Sequence, residues 1–200
     1  MIILEKTLLN LGKAFIGESM ARNRYTFYAK QAVKEGFIQL GDIFTLTSEQ
    51  EREHAKQLAV MITNLKEQMK KAKKKIPEMG VDVHAEASLG DTQFNLKAAI
   101  AGESYETDSM YPEFAKVADA EGLLEIAKKL RSIGVAEKHH AERYQKFLDQ
   151  IKAGTLWKKE KVTVWVCREC GYQHIGKEPP KECPSCGHAS NFFIVKCEEY

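Results

Sequence analysis

The four residues Glu51-Arg-Glu-His54 return in the same pattern, Glu-x-x-His, at Glu137-Lys-His-His140. Residues three apart on an α-helix lie on one face, so each copy can turn a carboxylate and an imidazole toward the same point. A single copy on a charged helix is usually a surface coincidence. Two copies in one chain instead indicate a metal site formed between helices, and therefore a mainly α-helical fold.

The two copies belong to an internal repeat, which predicts that the chain contains two similar helical hairpins. A lone glutamate within Gly-Glu-Ser precedes each copy, at Glu18 and at Glu103. The offset between the halves is 85 residues at this match and 86 residues at each later one. One extra residue therefore lies between Glu103 and Ala115, close to Tyr111. A single residue inserted into a continuing helix is a π-bulge, a feature frequent at functional sites.

Apolar residues with helical periodicity, and the turn residues between them, predict four helices. The expected helices cover residues 4–34, 38–71, 91–120 and about 123–152. The segment 76–90 contains Pro77, Gly80 and Gly90 and is too irregular to extend a helix, but it is long enough to cross from one end of a bundle to the other. We expect a helical bundle over residues 1–152, a linker over 153–161 and a small domain over 162–200.

The matched positions of the repeat give six candidate ligands on four helices: Glu18, Glu51, His54, Glu103, Glu137 and His140. One glutamate from each of two helices and one Glu-x-x-His from each of the others is the arrangement of ferritin-like di-iron bundles. Four carboxylates in a helical core repel one another unless cations lie among them, and two divalent ions balance their charge. Oxygen ligands with one imidazole per metal favour iron or manganese over structural zinc.

Three further residues can reach this site, although their spacing also fits ordinary roles. Glu106 lies one turn after Glu103, whereas the equivalent position in the first half is Ala21. A seventh ligand is therefore available on one side only; the alternative is a solvated helix glutamate. Tyr25 and Tyr111 return to the ligand face about two turns after the lone glutamates. They can donate hydrogen bonds to ligand carboxylates, and plain aromatic packing is equally consistent with the spacing.

After residue 161 the pattern becomes β-type, over 162–166, and then rich in glycine, proline and cysteine. Two C-x-x-C pairs follow, formed by Cys167, Cys170, Cys183 and Cys186. This spacing strongly indicates a tetrathiolate metal site, and zinc ribbons share it. The aromatic surroundings and the attachment to a redox-capable bundle favour iron over zinc; the aromatic residues are Trp165, Tyr172, Phe192 and Phe193. The fifth cysteine, Cys197, is expected to be a plain thiol.

The composition excludes several classes of protein. Thirty basic and 28 acidic residues leave a formal charge of +2, which is too balanced for a nucleic-acid-binding surface. The sequence lacks an uncharged run of the roughly 18 residues that a membrane span requires. Cysteines in metal-type pairs suit a reducing compartment better than disulfides do. We expect no nucleic acid and no membrane among the partners, and a cytoplasmic location.

Taken together, these motifs resemble those of the rubrerythrin family over essentially the whole chain. The resemblance implies a ferritin-like four-helix bundle with a small C-terminal rubredoxin-like domain of short strands and loops. It implies two cofactors, a non-haem di-iron centre and one mononuclear Fe(Cys)4 centre. It also implies a cytoplasmic enzyme of anaerobes or microaerophiles that reduces hydrogen peroxide and protects against oxidative stress.

The resemblance further implies a role for each candidate residue of the bundle. The bridging carboxylates would be Glu51 and Glu137, and the terminal ones Glu18 and Glu103. His140 would be a permanent ligand, while one iron would exchange Glu106 for His54 between oxidation states. The residues that hydrogen bond to ligands would be Tyr25 and Tyr111. The four cysteines of the tail would hold the mononuclear iron.

Electrons would come from NAD(P)H through a separate reductase or rubredoxin and then the Fe(Cys)4 centre, because the chain has no Gly-rich nucleotide loop. The small domain leaves the end of the fourth helix, on the order of 15 to 20 Å from ligands in mid-bundle. A head-to-tail partner would bring its own small domain nearer. We therefore expect a homodimer, and the resemblance adds an exchange of helical hairpins between subunits through the 76–90 segment.

Three alternatives remain open from the sequence alone. A ferroxidase or iron-storage protein would use the same bundle but would not need an attached electron-transfer centre. A dioxygen-activating oxidase is another possibility. A non-catalytic metal or interaction module would hold zinc in the cysteine site and would show neither colour nor redox activity.

Overall fold

The computed structural model describes residues 4–80 and 88–198, and most of these residues are helical. The helices are α1 (Glu5–Lys34), α2 (Ile38–Lys71), α3 (Thr92–Tyr105), α4 (Tyr111–Ala120) and α5 (Leu124–Lys152). The helical periodicity therefore predicted each boundary to within about a residue. The middle of the expected crossover, residues 81–87, lies outside the described residues. Among the described residues, no helix is long and apolar enough to cross a membrane.

The third helix of the bundle is continuous from α3 to α4 through one π-helical segment, Glu106–Met110. This segment confirms the π-bulge that the change of repeat offset predicted. The helix begins where the sequence suggested, because the Asp91 side chain accepts a hydrogen bond of 2.7 Å from the N–H of Phe94. An aspartate in this position satisfies one of the unpaired N–H groups of the first turn.

The bundle consists of two hairpins, α1 with α2 and α3–α4 with α5. Its core has a different composition at each end. One end is mainly aliphatic, with fully buried side chains that include Leu8, Leu11, Leu58, Leu65 and Leu130. The other end is aromatic and is formed around Tyr25, Tyr28, Phe44, Tyr144 and Phe147. Glutamate and histidine side chains are buried between the two ends.

Each hairpin caps the beginning of the other with the glutamate at its corner. The N–H groups of Lys6 and Thr7 donate to the Glu121 carboxylate at 3.3 and 3.0 Å. The N–H of Thr92 donates to the Glu35 carboxylate at 3.0 Å. Glu35 and Glu121 occupy equivalent positions of the repeat, so the same contact is made twice. Negative charge at a helix N-terminus is stabilising because the first N–H groups have no partner within the helix.

The small domain is a three-stranded antiparallel sheet in the order β2-β1-β3, with a cysteine loop on either side. Its strands are β1 (Thr163–Cys167), β2 (Gln173–Gly176) and β3 (Phe193–Val195). The predicted β-type run corresponds to β1. The sequence did not predict β2 or β3, because strands of four and three residues are too short for an alternating pattern to show. The buried core of the domain contains Trp165, Cys167, Cys183 and Phe193.

Candidate metal centres

Four helices bring six buried or partly buried ligand side chains to one level of the bundle. The first group comprises Glu18, Glu51, His54 and Glu137, and the second comprises Glu51, Glu103, Glu137 and His140. Within each group, the potential ligand atoms lie within 4.8 Å of one another. Glu51 and Glu137 belong to both groups, so their two oxygens can serve two neighbouring ions. The structure thus brings together the six residues that the repeat singled out, in two overlapping sets.

The polar atoms of this cluster are arranged to face a cation. Several carboxylate oxygens, on Glu18, Glu51, Glu103 and Glu137, are buried without a hydrogen-bond partner among the described residues. His140 Nδ1 lies 2.8 Å from Glu137 Oε2 and 3.1 Å from Glu51 Oε1, yet neither contact has the geometry of a hydrogen bond. Nitrogen and oxygen lone pairs therefore converge on shared points. Buried, unpartnered oxygens are costly unless a cation binds them, so the donor set fits two divalent ions such as iron.

The pKa values show how the cluster holds its charge without such ions. Burial, and then the charge of Glu137, raise the pKa of Glu18 to about 8. Burial also acts to raise the pKa of Glu137, but the close contacts with the His140 and His54 imidazoles, each at 2.8 Å, outweigh it and lower that pKa to about 2. Burial acts to lower the pKa of His140, while Glu103, Glu137 and Glu51 raise it to about 11. Protons on carboxyls and imidazoles thus occupy the place that two cations would take.

The two predicted tyrosines both bond to ligand carboxylates. The Tyr25 hydroxyl on α1 donates to Glu103 Oε1 on α3 at 2.5 Å. The Tyr111 hydroxyl on α4 donates to Glu18 Oε1 on α1. Each tyrosine therefore orients a carboxylate of the opposite hairpin, a detail that spacing within one helix does not specify. Such contacts fix the orientation of a ligand and exclude its other conformers.

The first group is less enclosed than the second. The His54 side chain is 16% exposed and the His140 side chain is 2% exposed. Glu106 is not a member of either group among the described residues. Its Oε1 instead lies against α1, 3.7 Å from the place that a Cβ on Gly17 would occupy. Burial, and then the charge of Glu18, raise the pKa of Glu106 well above its usual range. In this arrangement His54, rather than Glu106, faces the two carboxylates that the groups share, those of Glu51 and Glu137.

The four cysteines of the small domain form the second centre. Their sulfur atoms lie within 4.8 Å of one another, with Cys167 Sγ 3.7 Å from Cys186 Sγ and Cys170 Sγ 3.6 Å from Cys183 Sγ. A tetrahedral site with metal–sulfur bonds of about 2.3 Å has sulfur–sulfur edges of roughly 3.8 Å, so the set fits one metal ion. A disulfide would need about 2.05 Å. The four sulfurs are therefore placed for a metal rather than for a disulfide.

The backbone helps to prepare this site for a cation. Gly171 and Gly187 have φ of +76° and +77°, and their N–H groups donate to the carbonyls of Cys167 and Cys183 at 2.8 Å. These turns let the N–H of the residue that follows each glycine face a sulfur. The N–H of Tyr172 bonds to Cys170 and lowers the pKa of that thiol to about 6. A thiolate stabilised in this way is ready to ligate a metal at neutral pH.

Two residues near the centres had no predicted role. Tyr144 is fully buried, with its ring centroid 5.5 Å from that of Tyr25. Its position four residues after His140 was the available signal, because this spacing returns to the same helix face. His188 shows no ligand pattern in the sequence, yet its Nδ1 lies 3.3 Å from Cys186 Sγ. His139, the neighbour of His140 in the sequence, is exposed.

Comparisons with known proteins agree with this geometry in both domains. The family model described as rubrerythrin matches residues 10–148, and the model for the rubredoxin-like domain of rubrerythrin matches residues 165–194. The putative rubrerythrin of Methanocaldococcus jannaschii is 55% identical over 100% of this chain and 97% of its own length. The rubrerythrin of Nitratidesulfovibrio vulgaris is 42% identical over 94% of this chain and 93% of its own.

Solved structures show the same architecture. Nigerythrin in a mixed-valence state superposes with a TM-score of 0.61 at 29% identity, covering 95% of this chain and 86% of that one. A bacterioferritin of Desulfovibrio desulfuricans superposes with a TM-score of 0.61 at 19% identity, covering 74% of this chain and 81% of that one. The second likeness concerns the fold of the bundle alone.

Proposed function

Because this chain belongs to the rubrerythrin family of oxidoreductases, we propose that it is a non-haem di-iron peroxidase that reduces hydrogen peroxide to water. The main support is that one chain contains both sites. Two carboxylate and histidine groups share Glu51 and Glu137, and a four-cysteine site follows in the same polypeptide. The first site suits two-electron chemistry on a small oxidant, and the second suits the return of single electrons. Protection against oxidative stress in the cytoplasm is the corresponding role.

The ligand roles belong to this proposal. Two iron ions would be held by Glu51 and Glu137 together, with Glu18 and His54 on one side and Glu103 and His140 on the other. Glu106 would take the place of His54 when the oxidation state changes. The greater exposure of His54 and the placement of Glu106 on the same side support this assignment. The exchange also gives a function to the asymmetry between Glu106 and Ala21 in the repeat.

When bound, the iron pair would supply two electrons at one site for reduction of the oxidant. The residues of the chain do the remaining work. Tyr25 and Tyr111 keep the terminal carboxylates in place through their hydrogen bonds. The His54 side of the cluster is the more exposed one, and aliphatic and aromatic side chains pack at either end of the cluster. Burial, and then the charge of Glu18, raise the pKa of Glu106 well above its usual range, which favours the protonated form of this carboxyl group.

Electrons reach the bundle through the cysteine site, supplied by an external reductase or rubredoxin that takes them from NAD(P)H. A homodimer supports this transfer. The small domain contacts its own bundle near Asp42, nine residues before Glu51 on α2, which is roughly 13 Å along the helix before the length of the side chains is added. A partner subunit arranged head to tail offers a shorter route. An exchange of hairpins between the subunits is compatible with the position of the 76–90 segment.

Anaerobic stopped-flow spectroscopy of the reduced, iron-loaded protein tests the proposal. Hydrogen peroxide and dioxygen are mixed in separately while the visible bands of the Fe(Cys)4 centre are followed. We expect fast oxidation by peroxide, followed by the cysteine centre, and a much slower reaction with dioxygen. Protein with zinc in the cysteine site is the control, because its bundle should react without that second phase. Equal rates with dioxygen, or cysteine bands that never follow, would instead support a ferroxidase or dioxygen-reducing oxidase.

A further inference from the structure

The bundle has two equivalent corners, and the small domain uses one of them. Gly36 forms the corner between α1 and α2, and Gly122 forms the corner between α4 and α5. The two glycines occupy the same repeat position and have similar positive φ values, +87° and +74°. Because the backbone is alike at both places, the difference between the corners must lie in the side chains.

The first corner receives the small domain at close range. Asn191 Nδ2 donates a hydrogen bond of 3.0 Å to the Gly36 carbonyl. A Cβ on Gly36 would lie 3.3 Å from that nitrogen, so any larger residue would crowd the contact. At Gly122, by contrast, an added Cβ would meet no atom within 4 Å among the described residues. Glycine is therefore needed at Gly122 for its φ alone, and at Gly36 for both φ and space.

Charge distinguishes the corners as well. Arg168 Nη2 lies 2.7 Å from Asp42 Oδ2 on α2, with both side chains partly exposed. The repeat position equivalent to Asp42 is Lys128 on α5. The second corner would therefore repel Arg168 where the first attracts it. An exposed ion pair contributes little stability by itself, but unlike charges favour one arrangement and like charges oppose the other.

The linker adds an aromatic contact at the same place. The rings of Trp157 and Phe37 are parallel to within 9°, with centroids 5.8 Å apart. Trp157 also packs against the core of the small domain. The repeat position equivalent to Phe37 is Leu123, which offers no ring to stack. Three separate interactions thus favour the corner between α1 and α2.

The corner contact, as we name it, comprises Gly36, Phe37, Asp42, Trp157, Arg168 and Asn191. It is directly connected to the metal site of the small domain, because Arg168 follows Cys167 in sequence. The Arg168 N–H also donates to the carbonyl of Phe192 at 3.0 Å, which ties the first cysteine loop to the segment that carries Asn191. A shift of the corner contact would therefore move the cysteine centre with it.

We propose that the corner contact selects one of the two equivalent corners as the docking place of the small domain and so sets the position from which the Fe(Cys)4 centre delivers electrons. The proposed docking of the small domain is argued from the contacts described above. The proposed effect on electron delivery rests on the proposed function.

The docking of the small domain is tested by limited digestion of the iron-loaded full chain with trypsin, followed by mass analysis of cleavage in the linker, 153–161. Asp42→Lys replaces attraction by repulsion, and we expect cleavage to become about three- to tenfold faster, since cleavage follows the population of the open form. Lys128→Asp is the matched control and should digest like the unsubstituted protein. High salt should reduce the effect of Asp42→Lys, because it screens exposed charges.

Two further comparisons separate docking from general damage. Gly36→Ala and Gly122→Ala introduce the same unfavourable φ, so both should lower stability similarly, but only Gly36→Ala should accelerate linker cleavage. Combining Asp42→Lys with Arg168→Glu restores opposite charges and should return cleavage to within about twofold of the unsubstituted rate. Cleavage that is unchanged by Asp42→Lys, or equal in the two alanine variants, would overturn the docking contact.

The effect on electron delivery is tested by stopped-flow spectroscopy of the same variants. With Asp42→Lys, we expect oxidation of the cysteine centre after peroxide addition to slow by about threefold or more, while the initial reaction of the bundle keeps its rate. Faster cleavage with unchanged electron transfer would show that docking does not govern delivery. If the unsubstituted protein does not react with peroxide, the proposed function fails, and the digestion experiments still decide whether the corner contact exists.

Discussion

Tyr25 and Tyr111 each hold a carboxylate that belongs to the other hairpin. The identity and spacing of both tyrosines could be read from the sequence, since each lies about two turns beyond a lone glutamate. Their partners could not, because periodicity specifies the face of a helix and not the neighbour that this face meets. The interpretation as plain packing was equally open until the distances were known. At the scale of single residues, the sequence therefore identified the donors but not the acceptors.

Replacement of these hydroxyls should weaken the metal site without disturbing the fold. For Tyr25→Phe or Tyr111→Phe, we expect iron affinity to fall by about 10- to 100-fold, because ligand orientation is lost. Competition with a ferrous chelator measures this change. Tyr144→Phe is the control, since its hydroxyl bonds no ligand carboxylate although its ring is equally buried. An equal loss of affinity in all three variants would indicate a packing effect instead.

The two ligand histidines should respond differently to substitution. His54→Ala is expected to slow peroxide turnover by about tenfold or more while much of the iron is retained, because Glu106 can replace the lost ligand. His140→Ala should lower the iron content itself, since the Glu106 carboxylate lies beside Gly17 and next to Glu18 of the first group. Iron analysis and steady-state turnover measure the two effects, with the exposed His139→Ala as the control. Equal losses of iron and activity in both variants would rule out the ligand exchange.

Metal loading should release protons. At pH 7, Glu18 with its pKa of about 8 is mostly protonated and His140 with its pKa of about 11 is charged, and iron must displace both protons. We expect about two or more protons per pair of iron ions, and an affinity that falls as the pH is lowered. Calorimetry in buffers of different ionisation enthalpy measures the release. A value near zero would show that the carboxylates are already free of protons.

At the scale of elements, the turn glycines predicted where helices end, and the repeat predicted the position of the π-bulge. Gly36 and Gly122 marked the ends of helices because their positive φ values end a helix readily. The changed offset of the repeat located the π-bulge, since an extra residue in a continuing helix has few other solutions. The sequence did not predict the capping contacts, however. Glu35 and Glu121 were visible as matched residues, but contacts over 57 and 114 positions depend on how the hairpins dock.

The corner glutamates should contribute similar amounts of stability. Glu35→Ala and Glu121→Ala are each expected to lower the free energy of unfolding by about 1 kcal/mol, as for other lost caps. The double variant should lose roughly the sum, because the sites are far apart. Denaturant unfolding of the iron-free protein measures both. A marked excess in the double variant would mean that the two caps are coupled.

The stability that Glu35 contributes should depend on pH. Burial acts to raise its pKa, but hydrogen bonds from Thr92 and Gln31 prevail and lower it. A lowered carboxyl pKa contributes stability that is present above the usual value of about 4.5 and is lost as the pH falls through the folded-state value. The difference between Glu35→Ala and the unsubstituted protein should therefore shrink at low pH. A constant difference would indicate that the charge is unimportant.

At the scale of the whole molecule, the two domains depend on metal to different degrees. The bundle has an extensive apolar core at either end of its site. The small domain buries mainly Trp165, Cys167, Cys183 and Phe193, two of which are the cysteines themselves. So small a core rarely sustains a fold without a metal or another cross-link. The sequence predicted both domains, but not the corner at which they meet, because that choice depends on Asp42 and Lys128 across the repeat.

Removal of metal should therefore unfold one domain and spare the other. With a strong chelator under reducing conditions, we expect the small domain to lose protection from proteases and the environment of Trp165 to become polar. The helical circular dichroism should fall by only a small fraction. Tryptophan emission and far-ultraviolet dichroism followed together measure this difference. Simultaneous loss of both signals would show that the bundle also requires its metal to fold.

The reciprocal capping by Glu35 and Glu121 has a consequence for the symmetry of the chain. In each hairpin, the corner glutamate accepts a hydrogen bond from a backbone N–H in the first turn of the other hairpin. Two identical hairpins related by a twofold axis would make the same pair of contacts across a symmetric interface. The contacts within this single chain are therefore those that a symmetric pair of half-length hairpins would make, and the π-bulge and Glu106 are where the two halves differ.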